Sequence, residues 1–325
     1  AQALQRGGPR SVLWARRCIL VVQAVSKWAS PDMFAYILLM YLIRGLDNPP
    51  SIASYMDLNI GFTCFCVFCV GSTVSSLGIR VPEPPEAPAE PADAPAEDAP
   101  PLPRHWVLAT VAFVVPFGAF MAYGLARPSM SLYLDMDLMY EVQPELKAMK
   151  SIIDSLNLPE LLRMKVGVWQ CMGALIQWTG QGEVNSLIAF ILYAGFAVLL
   201  PILDMCLLAC AALLDFRHRS ELASRLLAAS RKVRKLSMLD VSIMGCVVVT
   251  MSLRTMRDQG VIVEMCSGVL YLLGAEACHY AAAAVAMRSR SGAVARGKVW
   301  PRPKSGGNSQ EEDMKVDDSD ASTAA

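Results

Sequence analysis

Two lysine–aspartate pairs stand at the mouths of apolar runs. Lys27 and Asp32 open KWASPDMFAYILLM, and Lys235 and Asp240, with the same separation, open KLSMLDVSIMGCVVV. Aspartates that face a polar interior and are neutralised by lysines are typical of intramembrane pathways. Two plainer readings stand beside that one. Ser237 and Asp240 match the S-x-x-D capping pattern, and Ser30 followed by Pro31 matches a cap with proline at the first helical position. The lysines would also serve as snorkelling anchors at a lipid surface.

Three further ionisable residues lie deeper in apolar sequence. Asp204 sits in LLPILDMCLL, three residues after Pro201, where an aspartate near a helix centre costs about 2.5–3.5 kcal/mol on insertion scales. Pro201 also frees a backbone carbonyl one turn earlier, so a polar interior would answer both needs. Glu276 and His279 in LLGAEACHYAAAA are one helical turn apart and share a face. Arg44 and Arg254 close the two short apolar runs at similar depth. Together Lys27, Asp32, Arg44, Asp204, Lys235, Asp240, Arg254, Glu276 and His279 are the candidate polar network, with Pro116 and Pro201 as helix-breaking positions. Two nearby ligands are too few for a metal site, and no metal is expected.

The elements that must carry these residues are membrane helices. Hydrophobic residues make up 54% of the chain and charged residues 18%, against roughly 25% charged in soluble domains. The fold class expected is all-α, a polytopic bundle of about six transmembrane helices near 30–46, 58–79, 106–126, 186–214, 238–255 and 262–287. Residues 80–104 carry nine prolines and six acids, the composition of an extended linker. The linker separates a partial module, 1–79, from a complete four-span module, 105–287, and 288–325 reads as a disordered tail. Within the second module, 127–185 reads as a helical extramembrane segment. There Leu146, Met149, Ile153 and Leu156 fall on one stripe, and a second helix starts near Leu158. Upstream of Lys235, the stripe Leu222, Leu226, Ala229, Val233 and Leu236 suits an interfacial helix.

The ten cysteines mostly fall in or beside apolar runs. Cys66 and Cys69 make a CxxC inside GFTCFCVFCVG, but with no second ligand pair they read as small buried helix residues. Lys and Arg concentrate before Lys27, in the 215–236 loop and after Arg288. An even number of spans then places both termini on the cytoplasmic-equivalent side, in an organelle if the source is eukaryotic. Phosphate-loop, H-E-x-x-H and G-x-S-x-G patterns are absent and the three histidines are scattered. Enzymatic chemistry, a cofactor and a nucleic-acid partner are therefore not expected.

Aligning Lys27 with Lys235 also aligns Arg17 with Arg225 and Asp32 with Asp240 without a gap, an internal repeat. The repeated motif, KWASPDMF at 27–34 and KLSMLDVS at 235–242, resembles the K-W-S-M-x-D-V-F hallmark of the paraquat-inducible protein A family. The surrounding order is similar too: a span with Pro116, an extracytoplasmic segment, a span with Pro201, a basic loop, the motif helix and a closing span. On that resemblance 106–287 is one full module and 11–79 the latter half of another, so two spans of the first would be missing. The family's CxxC zinc ribbons have no counterpart, and Leu236 stands where Trp28 does in the first copy. The resemblance implies an integral component of an intermembrane lipid transport system, working on membrane lipids with a mammalian-cell-entry (MCE) domain partner. Two other readings are a membrane anchoring or assembly protein without cargo, and a small-solute or ion carrier using Asp204 and Glu276.

Overall fold

A computed structural model of the chain describes residues 9–47, 54, 56–79, 104–142, 145, 147, 150–151, 163–217 and 219–299. Apolar runs without strong turn residues wind into helices in order: α1 (Pro9–Val25), α2 (Pro31–Gly45), α3 (Ile60–Gly78) and α4 (Arg104–Ala126). After β1 (Pro128–Leu134) come α5 (Met136–Val142), β2 (Met164–Gly167), α6 (Val168–Gly180) and α7 (Val184–Leu192). Helix α7 passes through a π-helical segment, Tyr193–Leu199, into α8 (Leu200–Phe216). The chain closes with α9 (Ser220–Leu236), α10 (Leu239–Leu253), β3 (Val261–Met265) and α11 (Ser267–Val299).

Among the described residues five helical runs are long and apolar enough to cross a membrane: Ile60–Gly78, Val107–Ala126, Val184–Phe216, Glu221–Asp258 and Ser267–Met287. Their outer faces expose large apolar side chains such as Phe68, Leu108, Val115, Ile191, Leu199 and Leu270. A contiguous apolar exterior on that scale is a surface for lipid. The sixth expected span forms as α2, but its 15 residues reach only about 22 Å, short of the roughly 30 Å hydrocarbon core. Helix α2 is instead the most enclosed helix of the first copy, burying Met33, Phe34, Ile37, Leu38, Met40 and Leu42.

Its partner is α10, its repeat counterpart and also 15 residues long. Gly245 lets the two backbones approach: a Cβ there would lie 2.9 Å from Phe34 Cβ and 3.2 Å from both Ala35 N and Pro31 O. The repeat thus packs on itself through its two short helices. Helices α4 and α11 form the other large contact, and α8 packs along α9.

Three differences from the sequence reading have clear physical origins. The 127–185 segment is not purely helical. Strand β1 pairs antiparallel with β2 (Met130 opposite Val166) and with β3 (Met130 opposite Met265), giving a sheet in the order β2-β1-β3 that joins the end of α4 to the start of α11. Met130 and Leu132 point inward while Ser131 and Tyr133 do not, a two-residue period too short to stand out from the surrounding apolar sequence. The expected stripe at Leu146, Met149, Ile153 and Leu156 and the helix near Leu158 lie outside the described residues. The last helix starts only at Ser267, because 261–265 is spent on β3; Gly260, at φ 87°, makes the left-handed turn that ends the preceding 3-10 turn. At its other end α11 runs through Val299, past the expected tail boundary at 288. The 80–103 linker lies outside the described residues.

The third difference concerns α9. Of the expected apolar stripe Leu222 is exposed and Leu226, Ala229, Val233 and Leu236 are half-buried, while the positions buried against the protein are Ala223 and Ser230. Helix α9 runs antiparallel along α8, with Ser230 beside Asp204 and Met238 N–H bonded to Phe196 O at 3.0 Å. Basic residues fill its outer side and small residues its inner side, so it packs on a helix and not only on headgroups.

Gly245 has no free space for a side chain. Gly245→Val is expected to separate α2 from α10 and cost about 1–3 kcal/mol, read as a lowered thermal midpoint of the purified protein in detergent. Substitution at Gly71, where a Cβ meets nothing within 4 Å, leaves the midpoint unchanged.

Candidate functional site

The site forms where α8, α9, α10 and α11 meet. Asp204 and His279 are 0% and 1% exposed and Glu276 is 5% exposed. His279 Nε2 lies 2.7 Å from Asp204 Oδ2, and its Nδ1 lies 3.4 Å from Glu276 Oε2. Ser230 Oγ donates to the other Asp204 oxygen, Oδ1. The i,i+3 spacing of Glu276 and His279 puts both on one face of α11, and the α8–α9 register brings Ser230 to Asp204.

An imidazolium donates from both nitrogens, whereas a neutral ring donates from one. The cluster can therefore hold different numbers of protons while remaining fully enclosed. The two carboxylates flank the imidazole on its two nitrogens, so the three groups do not converge on a point as ligands must. Among the described residues no group of three or more His, Cys, Asp or Glu is placed to hold a metal ion.

The π-helical segment explains how Pro201 is tolerated. Leu200 N–H bonds Gly195 O, five residues back. Continued in that register, Phe196 O would need a donor at residue 201, where proline has none. Met238 N–H supplies it. The carbonyl freed by Pro201 is thus satisfied by the first turn of the second-copy motif helix, which fixes where α10 begins. Pro116, by contrast, lies within an unbroken α4.

The lysine–aspartate pairs do not form as expected within each copy. Lys27 Nζ reaches across the repeat to Asp240 Oδ2 at 2.6 Å, with side chains 15% and 12% exposed. Tyr280 OH completes the triangle, accepting from Lys27 at 3.1 Å and donating to Asp240 Oδ2 at 3.2 Å. Asp240 Oδ1 also takes the Val241 N–H at 3.0 Å, satisfying a first-turn amide of α10. Lys235 is exposed and lies 3.5 Å from Gln23 Oε1. Asp32 is exposed, and among the described residues it has no ion-pair partner. The expected neutralisation of Asp32 by Lys27 and of Asp240 by Lys235 is therefore replaced by one crossed pair. The serine caps also differ. Ser30 precedes α2 with Pro31 at its first position but makes no capping bond, and Met238, not Ser237, is the residue before α10.

Arg44 belongs to a separate cluster at the opposite end of α2. Its guanidinium donates to Glu183 at 2.7 and 3.1 Å, to Met56 O at 2.6 Å and to Asp57, and lies 4.6 Å from the Trp178 ring centre. Arg254 is exposed and joins neither cluster. Sequence reasoning missed Tyr280, Ser230, Asp57, Glu183 and Trp178. Asp57 and Glu183 each precede an apolar helix, the same signal that singled out Asp32 and Asp240. Ser230 had no signal apart from the α8–α9 register.

Comparison of the chain with protein-family models, with curated proteins and with solved structures finds no match. The reading of the site therefore rests on its own geometry.

Burial lowers the Lys27 pKa, but the Asp240 charge and the bonds to Asp240 and Tyr280 outweigh it, leaving a net rise above the ordinary lysine value of 10.5. A raised lysine pKa gives stability that is complete below 10.5 and is lost as pH rises through the higher folded value. Lys27→Met should cost about 2 kcal/mol at neutral pH by leaving Asp240 without its cation. The difference in thermal midpoint between wild type and variant should be constant from neutral pH to 10.5 and shrink above it. A difference that instead disappears on acidification to neutral pH would rule out this role.

Proposed function

We propose that this chain is an integral membrane component of an intermembrane lipid transport system, in which the Asp204–His279–Glu276 cluster couples protonation to helix rearrangement. The observation that carries the reading is the complete enclosure of that cluster within helices whose outer faces suit lipid. A structural anchor has no need of two carboxylates and an imidazole in its interior, where partnered charges add little stability over apolar packing. A group able to change protonation while enclosed can bias two helix arrangements. The cluster touches α8 and α11 directly and α9 through Ser230, so a change in its protonation acts on three helices at once.

Lipid as cargo, and an MCE-domain protein as partner, come from the likeness of KWASPDMF and KLSMLDVS to the paraquat-inducible protein A motif. In this reading the basic 217–236 region faces the cytoplasmic-equivalent side together with both termini, and the sheet end faces the partner. The crossed Lys27–Asp240 pair holds α2 to α10 while rearrangement occurs around α8 and α11.

The anchoring reading has its own support in the Lys27–Asp240–Tyr280 triangle, which ties the two copies of the repeat together as a structural clasp. Asp204→Asn separates the two readings. It keeps the shape and one acceptor for Ser230 but removes the carboxylate charge. Phospholipid exchange between the two membranes should fall at least roughly tenfold, equivalent to about 1.4 kcal/mol of barrier, at unchanged expression and monodispersity. Unchanged exchange would leave the chain an anchor. Co-purification of the tagged protein without an MCE-domain protein or phospholipid would remove the partner and cargo.

A further inference from the structure

Arg44 and Arg254 close the two repeat-related helices α2 and α10, yet their surroundings are opposite. Arg44 is neutralised by Asp57 and Glu183 and stacked on Trp178. Arg254 has no acid within ion-pair distance among the described residues, and its Nη1 has Met251 Sδ at 4.0 Å. Helix α10 spans about 22 Å, roughly 8 Å less than a bilayer's hydrocarbon core. The 3-10 turn Arg254–Gln259 continues it, so Arg254 stands near the far end of the apolar run Glu221–Asp258. A guanidinium there needs a counter-charge or must extend to the headgroups.

Arg254 lies at a cavity of about 360 Å3 between the last turns of α10 and strand β3. Val247, Met251, Val263 and Met265 supply apolar lining, with Met251 and Met265 largely exposed. The Thr250 hydroxyl, also in the lining, donates to Cys246 O at 2.8 Å. Glu264 is the remaining lining residue. Its Oε1 accepts from Tyr133 OH at 2.7 Å, which leaves its second oxygen as an acceptor. The cavity thus carries one cation and one anion that do not pair with each other, above an apolar wall.

We propose that this cavity binds a zwitterionic phospholipid of the phosphatidylethanolamine type. The phosphodiester pairs with the Arg254 guanidinium, the ammonium with the Glu264 carboxylate, and an acyl chain lies along Val247, Met251, Val263 and Met265. Guanidinium groups match phosphate oxygens through two parallel donors, and the unbranched, polarisable methionines adapt to a flexible chain. An anionic lipid with no ammonium would satisfy Arg254 but leave Glu264 without a counter-charge. The inference depends on the membrane setting of α10 and β3 and not on transport, so it stands or falls separately from the role of Asp204.

The test uses the purified full-length chain in vesicles of mixed phosphatidylethanolamine and phosphatidylglycerol, doped with either lipid carrying a photoactivatable diazirine on its tail. Labelled peptides are then mapped by mass spectrometry. The phosphatidylethanolamine probe should label residues 247–265 about tenfold more than the phosphatidylglycerol probe, the scale of one charge-assisted contact. Arg254→Gln should abolish labelling by both probes, and Glu264→Gln should remove the preference between them. Met251→Trp, which fills the cavity without altering charge, should cut labelling by both and serves if Arg254→Gln is not monodisperse. Equal labelling by the two probes, or labelling indifferent to these substitutions, overturns the proposal. So does loss of labelling on adding soluble phosphoethanolamine, which would make the ligand the free zwitterion.

Discussion

A carboxylate enclosed in an apolar interior must find a partner, and in this bundle Asp204 determines who its neighbours are. Its two oxygens take Ser230 from α9 and His279 from α11. An unpartnered charge at that position would cost several kcal/mol, so the three helices cannot slide past one another without replacing these contacts. Glu276, at the other edge of the imidazole, extends the same constraint along α11. The polar cluster therefore sets the register of a membrane bundle whose exterior supplies little directional information of its own.

A second constraint runs through the backbone. The π-helical turn before Pro201 leaves Phe196 O without a donor in its own helix, and Met238 N–H fills the vacancy. One bond thus satisfies the polar need created by a proline and fixes the start of the repeated motif helix. Asp240 in the next turn is held by Lys27 from the other copy. Tyr280 joins that pair from the residue after His279, so the buried cluster and the crossed ion pair are adjacent on a single helix. A rearrangement of α11 would be felt at both.

The two copies of the repeat are used unequally. At one end of the short-helix pair, Lys27 and Asp240 are joined while Asp32 and Lys235 are exposed. At the other, Arg44 is bound by protein acids and Arg254 faces a cavity. Sequence symmetry made each pair look equivalent. Packing removed the equivalence, because α3 and α11 place different residues beside the two motif helices.

Composition and apolar run length were enough to specify a helical membrane protein, because a span's hydrophobicity is a local property of about twenty residues. Acid residues within or at the ends of apolar runs marked Asp32, Asp204, Asp240 and Glu276, since their cost is visible without knowing the fold; Asp57 and Glu183 carry the same signal but were passed over. Partner identity was not local. Lys27 meets Asp240 instead of Asp32, and Ser230 meets Asp204, through contacts between residues far apart in sequence. The sheet escaped notice because its strands are short and take their hydrogen bonds from distant segments. The chain by itself determined which groups needed partners; the tertiary structure decided which partners they got, because helix register and crossing depend on the packing of all the helices together.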